Sequence, residues 1–284
     1  MILTASSIIT MDPARPRAEA VAVDPDSGAI LAVGSLAECR AAAPGATVED
    51  LGGGVLMPGF IQAHDHPVPA AVLCQLPAHW IAPFVGFPTW DDVEALFDRL
   101  RRQTPVGQPL LFNGLDRLLL SIPMPDRASL DRYFPDHPVL IFDITGHALY
   151  FNSRATGLFG WTNATPPADT PDARWTRRPD GTAGGVGYET QATLMAMAAF
   201  LPGVVPSPLV NLGAWYSTLA RNGFTAVGDL GFLTRLRAPM EALAGLSGCP
   251  VRYSLYQATY DPGAHSEVDF GPLSGMIQRV GYKI

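Results

Sequence analysis

From Gly223 onward the sequence alternates regularly: an apolar run FTAVGDLG, a helix-like stretch LRAPMEALAGLSG, a second apolar run VRYSLYQ, a loop, and a third run RVGYKI. Strands that alternate with helical stretches predict parallel βα units, because parallel strands need a long crossover and a helix usually fills it. A fourth run, GVLMPGFIQAHDH, stands at residues 54–66. Its nearly unbroken apolar character suits a strand buried on both faces, as in a parallel barrel or a doubly wound sheet. Core strands are therefore expected near residues 55–64, 224–230, 251–257 and 280–284. A closed barrel of this kind takes about 250 residues without long insertions. Here roughly 150 residues separate the first strand from the second, far beyond an ordinary crossover. The expected architecture is α/β: a partial TIM-like barrel of about four strands with a long insertion, plus a small module in front of it.

That module is residues 1–53. Short strands LTASSIITM, AEAVAVD and AILAVGS, the last two joined by the turn-forming PDSG, precede a short helix SLAECRAAA and a returning strand ATVEDLGG. The stretch reads as β-rich, sandwich-like and, having no histidine, structural. Residues 54–284 make the barrel portion, interrupted by the insertion over about 67–210. Prolines are dense between residues 58 and 210, which predicts a loop-rich, rigidly turned segment there. Helices are expected at TWDDVEALFDRLRRQ, YETQATLMAMAAFL and LVNLGAWYSTLARNG, and strands at PLLFNG and HPVLIFDIT.

A formal charge of -7 with no basic stripe argues against a nucleic-acid partner. The first residues lack a basic, apolar leader, and no window reaches ~18 uninterrupted apolar residues, so neither secretion nor a membrane partner is indicated and a cytoplasmic protein is the default. Cys39, Cys74 and Cys249 are odd in number and form no CxxC pair, as expected of reduced thiols with packing roles.

On a strand, residues two apart face the same way with Cα atoms about 6.5–7 Å apart, so His64 and His66 project toward one centre and Asp65 away from it. Imidazoles so placed can reach one ion at about 2.0–2.1 Å. The same pair can serve as hydrogen-bonded polar residues at a strand's mouth. Their position at the exit of a core strand favours ligation.

The segment VLMPGFIQAHDHP resembles the first-strand signature of metal-dependent amidohydrolases: an apolar run, Pro-Gly-Phe, then His-x-His. DITGHALYFNSRAT (143–156), RRPDGTAGGVGYET (177–190), NGFTAVGDLG (222–231) and the terminal GYKI resemble the YtcJ-like branch, amidohydrolase family 3, which includes N-substituted formamide deformylases. The resemblance implies a barrel carrying one or two divalent metals, zinc first among them, that activate water to cleave a C–N bond in a small amide-type substrate. It implies His64 and His66 as metal ligands. It also implies Lys283 as a third, where relatives often carry a carboxylated lysine between two metals, and His147 as a substrate contact in a Gly-His turn held by Asp143 and Asn152. Asp229, at the end of the second core strand, is expected to hydrogen-bond behind a ligand rather than on the ion. Asp116 is a weaker candidate. The glycines of GTAGGVG follow no strand in GxGxxG form and read as a hairpin or lid. His79, His137 and His265 read as structural, and Trp80, Phe84, Phe87 and Trp90 as either pocket walls or packing beneath a loop.

The family's later histidines and its catalytic acid would lie beyond Ile284. The expectation is therefore a hydrolase portion that is weak or inactive without a C-terminal half or a second chain, oligomerisation being one way to supply it. The alternative is a noncatalytic scaffold or binding subunit. A sugar-processing barrel is disfavoured, because no acid pair marks the strand ends.

Overall fold

The computed structural model describes residues 1–205, 207–234, 237–244, 251–259, 261, 271–274 and 276–283. The chain divides into two compact units, Met1–Gln62 with Gly223–Ala226, and Ala63–Asn222 with Val227–Ile284. Strands β1 (Ile2–Ile9), β2 (Arg17–Val23) and β3 (Ile30–Gly34), helix α1 (Leu36–Ala42), and strands β4 (Val48–Asp50) and β5 (Val55–Leu56) open the chain. Their sheet runs β3-β2-β1-β4, with β5 also on β1. The PDSG turn works as its composition suggests: Asp24 accepts the Gly28 N–H at 2.8 Å through its carbonyl, and Gly28 takes φ +71°. Ser35 and Glu38 cap α1 reciprocally, which lets Cys39 pack on Ile2, Ala20 and Ala22.

Strand β6 (Phe60–Asp65) and helix α2 (Pro67–Leu73) follow, then β7 (Ala78–Trp80), α3 (Trp90–Gln103), β8 (Leu110–Leu115), α4 (Arg127–Tyr133), β9 (Val139–Asp143), β10 (Ala148–Phe151), α5 (Ser153–Leu158), β11 (Arg174–Arg177), β12 (Ala183–Tyr188), α6 (Thr190–Phe200) and α7 (Pro208–Arg221). The insertion is thus more regular than its prolines suggest. Its strands form a six-stranded sheet, β11-β12-β10-β9-β8-β7, in which β7, β8 and β9 are parallel and β10, β12 and β11 alternate. Both faces are covered. Leu110, Phe112, Val139 and Ile141 meet Val93 and Phe97 of α3 and Leu130 of α4, while Leu111, Leu140 and Phe142 share a core with Ala192, Ala196 and Phe200 of α6. Continuous apolar runs at β8 and β9 are the consequence of two covered faces. Of the glycines of GTAGGVG, Gly181 sits in the turn between β11 and β12 and the other three belong to β12: a Cβ at Gly187 would lie 2.6 Å from the Trp175 ring, and one at Gly185 2.2 Å from the Arg127 backbone nitrogen.

Strands β13 (Phe224–Phe232), β14 (Arg252–Ala258), β15 (Gly271–Ser274) and β16 (Ile277–Lys283), with helix α8 (Arg237–Ala244), complete the chain. The third sheet runs β15-β16-β14-β13-β6. The four core strands expected from sequence therefore neighbour one another in chain order. One expectation fails: β6 is not buried on both faces. Phe60 and Ile61 are 53% and 70% exposed, and β6 stands last in the strand order of its sheet, with β13 its strand neighbour among the described residues.

Candidate functional site

Strands β6 and β13 run in the same direction. The Phe60 N–H bonds the Gly223 carbonyl at 2.8 Å near their starts, and at the other end His66 meets Asp229. His64 and His66 leave the end of β6 with ring centroids 5.3 Å apart and planes at 83°. Asp65 turns the other way. Its carboxylate accepts the His66 N–H at 2.8 Å and the indole N–H of Trp215 on α7 at 3.4 Å. Burial raises the Asp65 pKa above the usual carboxylate value and the Asp229 charge adds to the rise, while those two hydrogen bonds oppose it.

Asp229 is 3% exposed and stands behind His66, Oδ1 to Nδ1 at 3.5 Å, while the same oxygen accepts the Gly231 N–H at 3.0 Å. A carboxylate on the Nδ1 side favours the tautomer whose Nε2 lone pair is left to bind a cation. Gly231 completes the arrangement: a Cβ there would lie 2.7 Å from His66 Nδ1 and 2.8 Å from Cε1. Sequence reading missed this residue, although a glycine inside the strand pattern FTAVGDLG signals a close approach.

Two ring nitrogens that share an ion at about 2.0–2.1 Å in tetrahedral geometry leave their ring centroids about 5 Å apart, so this histidine pair fits two positions of a divalent-metal shell. Among the described residues no three His, Cys, Asp or Glu side chains converge as a full metal site. Lys283 ends β16 opposite Ala258 of β14, and its carbonyl accepts the Thr259 N–H at 3.0 Å. It lies three strand spacings from β6, about 14 Å across a flat sheet.

His147 belongs to the other sheet, between β9 and β10. Of the two residues expected to hold its turn, Asp143 does so, accepting the Thr145 N–H and hydroxyl at 3.0 and 2.8 Å. Asn152 does not: buried at the other end of the hairpin, it accepts the Val139 and Ala155 N–H groups and donates to the Phe134 and His137 carbonyls, which ties the start of β9 to α5. Glu189 faces His147 at 3.9 Å from Nδ1 and pairs with Arg174 at 2.8 Å. Asp116 accepts the N–H groups of Leu118 and Leu119 and so shapes its own turn. His137 is buried against the Gln108 carbonyl, and burial lowers the His79 pKa. Trp90 bonds Glu94 and stacks on Phe97, which is packing. His265 and Cys249 lie outside the described residues. An apolar groove of about 640 Å³ lined by Leu3, Ile8, Val21 and Val33 lies wholly in the N-terminal unit, where no histidine stands.

An α/β chain with two imidazoles at the mouth of a sheet strand and a buried carboxylate behind one of them has the elements of a metal-dependent hydrolase fold. Residues 47–271 match the model of the Amidohydrolase family, and the chain belongs to that family, in its YtcJ-like branch. It is 34% identical over 173 residues to the N-substituted formamide deformylase of Arthrobacter pascens, covering 58% of this chain and 30% of that protein. It is 26% identical over 279 residues to the Exoenzymes regulatory protein AepA of Pectobacterium carotovorum subsp. carotovorum, covering 96% of this chain and 58% of that one. Crystal structures of uncharacterized metal-dependent hydrolases from Pyrococcus horikoshii OT3 and Pyrococcus furiosus share the fold, with TM-scores of 0.67 and 0.60 and identities of 17% and 18%; 99% of this chain aligns with 53% and 55% of theirs. The chain spans less than two thirds of the length of each of these proteins. No described helix is long and apolar enough to cross a membrane.

Proposed function

We propose that this chain carries the metal-anchoring portion of a hydrolase that cleaves the C–N bond of an amide or formamide. The observation that carries the reading is the His64–His66 pair, 5.3 Å apart, with Asp229 behind His66; a relative named a formamide deformylase supports the bond type. His64 and His66 would hold a divalent ion, zinc by ligand preference, and Lys283 would contribute once its amine is carboxylated. When bound, such an ion acidifies a water and polarises the scissile carbonyl. The chain's own residues do the rest: Asp229 keeps the His66 ring oriented, Asp65 and Trp215 fix the backbone between the two histidines, and His147 contacts substrate. A noncatalytic scaffold is the second reading, favoured by the regulatory name of the relative that covers nearly all of this chain. Metal content by mass spectrometry, with formate release from an N-substituted formamide, separates the two. The hydrolase reading expects near-stoichiometric zinc that falls severalfold in His64→Ala together with turnover. Unchanged metal and turnover in that variant would count against it, and a folded, metal-free, inactive protein would favour the scaffold.

A further inference from the structure

His147 has both backbone polar groups engaged and its ring largely free. Its N–H bonds the Thr145 hydroxyl at 3.2 Å and its carbonyl accepts the Glu189 N–H at 2.8 Å, while its side chain is 67% exposed. The second of these bonds follows from register: Ala148 pairs with Tyr188 across β10 and β12, so one step further along His147 stands opposite Glu189. The charge that faces the ring is the Glu189 carboxylate, with Oε2 3.9 Å from Nδ1.

Glu189 is held there under backbone strain. Among the described residues it is the one acidic residue at positive φ, +75° with ψ 165°, a region essentially reserved for glycine. It precedes α6, yet its carboxylate does not cap that helix. Oε1 instead accepts a guanidinium N–H of Arg174 on β11 at 2.8 Å, which leaves Oε2 toward His147. The Arg174 and Glu189 side chains are 58% and 37% exposed. An ion pair in such contact with water stabilises a fold little, less than backbone strain of this kind costs. Fold stability therefore does not account for the strained glutamate; a charge anchored beside an imidazole does.

We propose that Glu189 is a positioning residue for His147: anchored by Arg174, it keeps the proton of the neutral imidazole on Nδ1 and leaves the Nε2 lone pair as a hydrogen-bond acceptor for a donor group of the substrate. Which ring nitrogen keeps the proton is set by the partner of the other, and without a carboxylate on the Nδ1 side the ring is free to carry it on Nε2. The 3.9 Å separation is longer than a hydrogen bond, and the exposed ring closes it by rotating about its own side-chain bonds. Only the use of the lone pair rests on the proposed hydrolase reading, through the contact of His147 with substrate; the tautomer does not.

The test is a long-range proton–nitrogen correlation spectrum of the histidine rings in the whole, nitrogen-15-labelled chain at about pH 9, where imidazoles of ordinary pKa are neutral. Loss of signals in His147→Gln identifies the His147 ring. The parent is expected to show Nδ1 protonated and Nε2 with a lone pair. Glu189→Gln keeps the shape and removes the charge, and Glu189→Gly relieves the backbone, so that the latter is expected to melt no lower than the parent. In both, the His147 proton is expected to move to Nε2. In an active preparation, kcat/KM for an N-substituted formamide is expected to fall about tenfold in Glu189→Gln, the worth of one misdirected hydrogen bond. A parent ring protonated on Nε2, an Nδ1-protonated ring that persists in Glu189→Gly, a Glu189→Gly variant that melts well below the parent, or parental kcat/KM in an active Glu189→Gln would each overturn the proposal. The tautomer is read without turnover, so an inactive chain counts against the hydrolase reading alone, and an Nε2-protonated parent ring counts against this one alone.

Discussion

Replacing Gly231 with alanine separates packing from metal binding. An alanine Cβ would stand 2.7 Å from His66 Nδ1 and 2.8 Å from Cε1, well inside van der Waals contact. Overfilling a packed site costs about 1–3 kcal/mol, and the low end applies because the His66 side chain is 46% exposed and can swing away. Alanine in place of a strand glycine returns roughly 0.5–1 kcal/mol of chain entropy. Folding stability is therefore expected to move by less than about 1 kcal/mol, a few degrees at most in melting temperature. The displaced ring loses both its orientation by Asp229 and its position beside His64. Disturbing the support of a ligating histidine typically weakens metal binding by about 10–100-fold. Zinc affinity from chelator competition, read beside a thermal melt, makes the comparison. Parental zinc affinity in a variant of parental stability would mean that the His66 ring does not hold the ion.

Asn152→Ala removes four hydrogen bonds from a fully buried side chain. At about 1 kcal/mol each it should lose about 3–5 kcal/mol in urea unfolding; a loss below about 1 kcal/mol would show the junction of β9 and α5 to be held otherwise. Asp229→Asn keeps an oxygen for the Gly231 N–H and removes the charge behind His66, so zinc affinity should drop about tenfold at unchanged melting temperature, and stronger binding would contradict the assigned role. The Cys74 thiol is pushed up to about 11, chiefly by burial and secondarily by the Asp65 charge. At pH 8 only about one Cys74 in a thousand is then thiolate, so peptide-resolved alkylation should be slow and rise roughly tenfold per pH unit below 11. Fast labelling at pH 8 would show the thiol to be exposed.

The elements that were legible in the sequence are those whose signals are local. The PDSG turn, the helical stretch TWDDVEALFDRLRRQ that becomes α3, and the alternation after Gly223 each state their own structure, and the four core strands follow. The six-stranded sheet was hidden because β8 and β9 are short apolar runs whose partners are distant, and the surrounding prolines argue locally for loops. The exposure of β6 is a property of its neighbours: the apolar run VLMPGF reads as interior wherever it stands. The placement of His64, His66 and Asp229 near one another was legible because period-two geometry and strand exits are sequence properties. Gly231 and Glu189 were not, since one is needed for a ring on another strand and the other shows itself only through its backbone angles and its cross-strand partners His147 and Arg174.

The central claim is that one cation lies between two imidazoles at the mouth of β6. Crystals grown with zinc and measured on both sides of the zinc absorption edge test it directly. The account expects an anomalous peak about 2.0–2.1 Å from a ring nitrogen of His64 and of His66. A fully zinc-loaded protein whose peak lies away from both rings would contradict it.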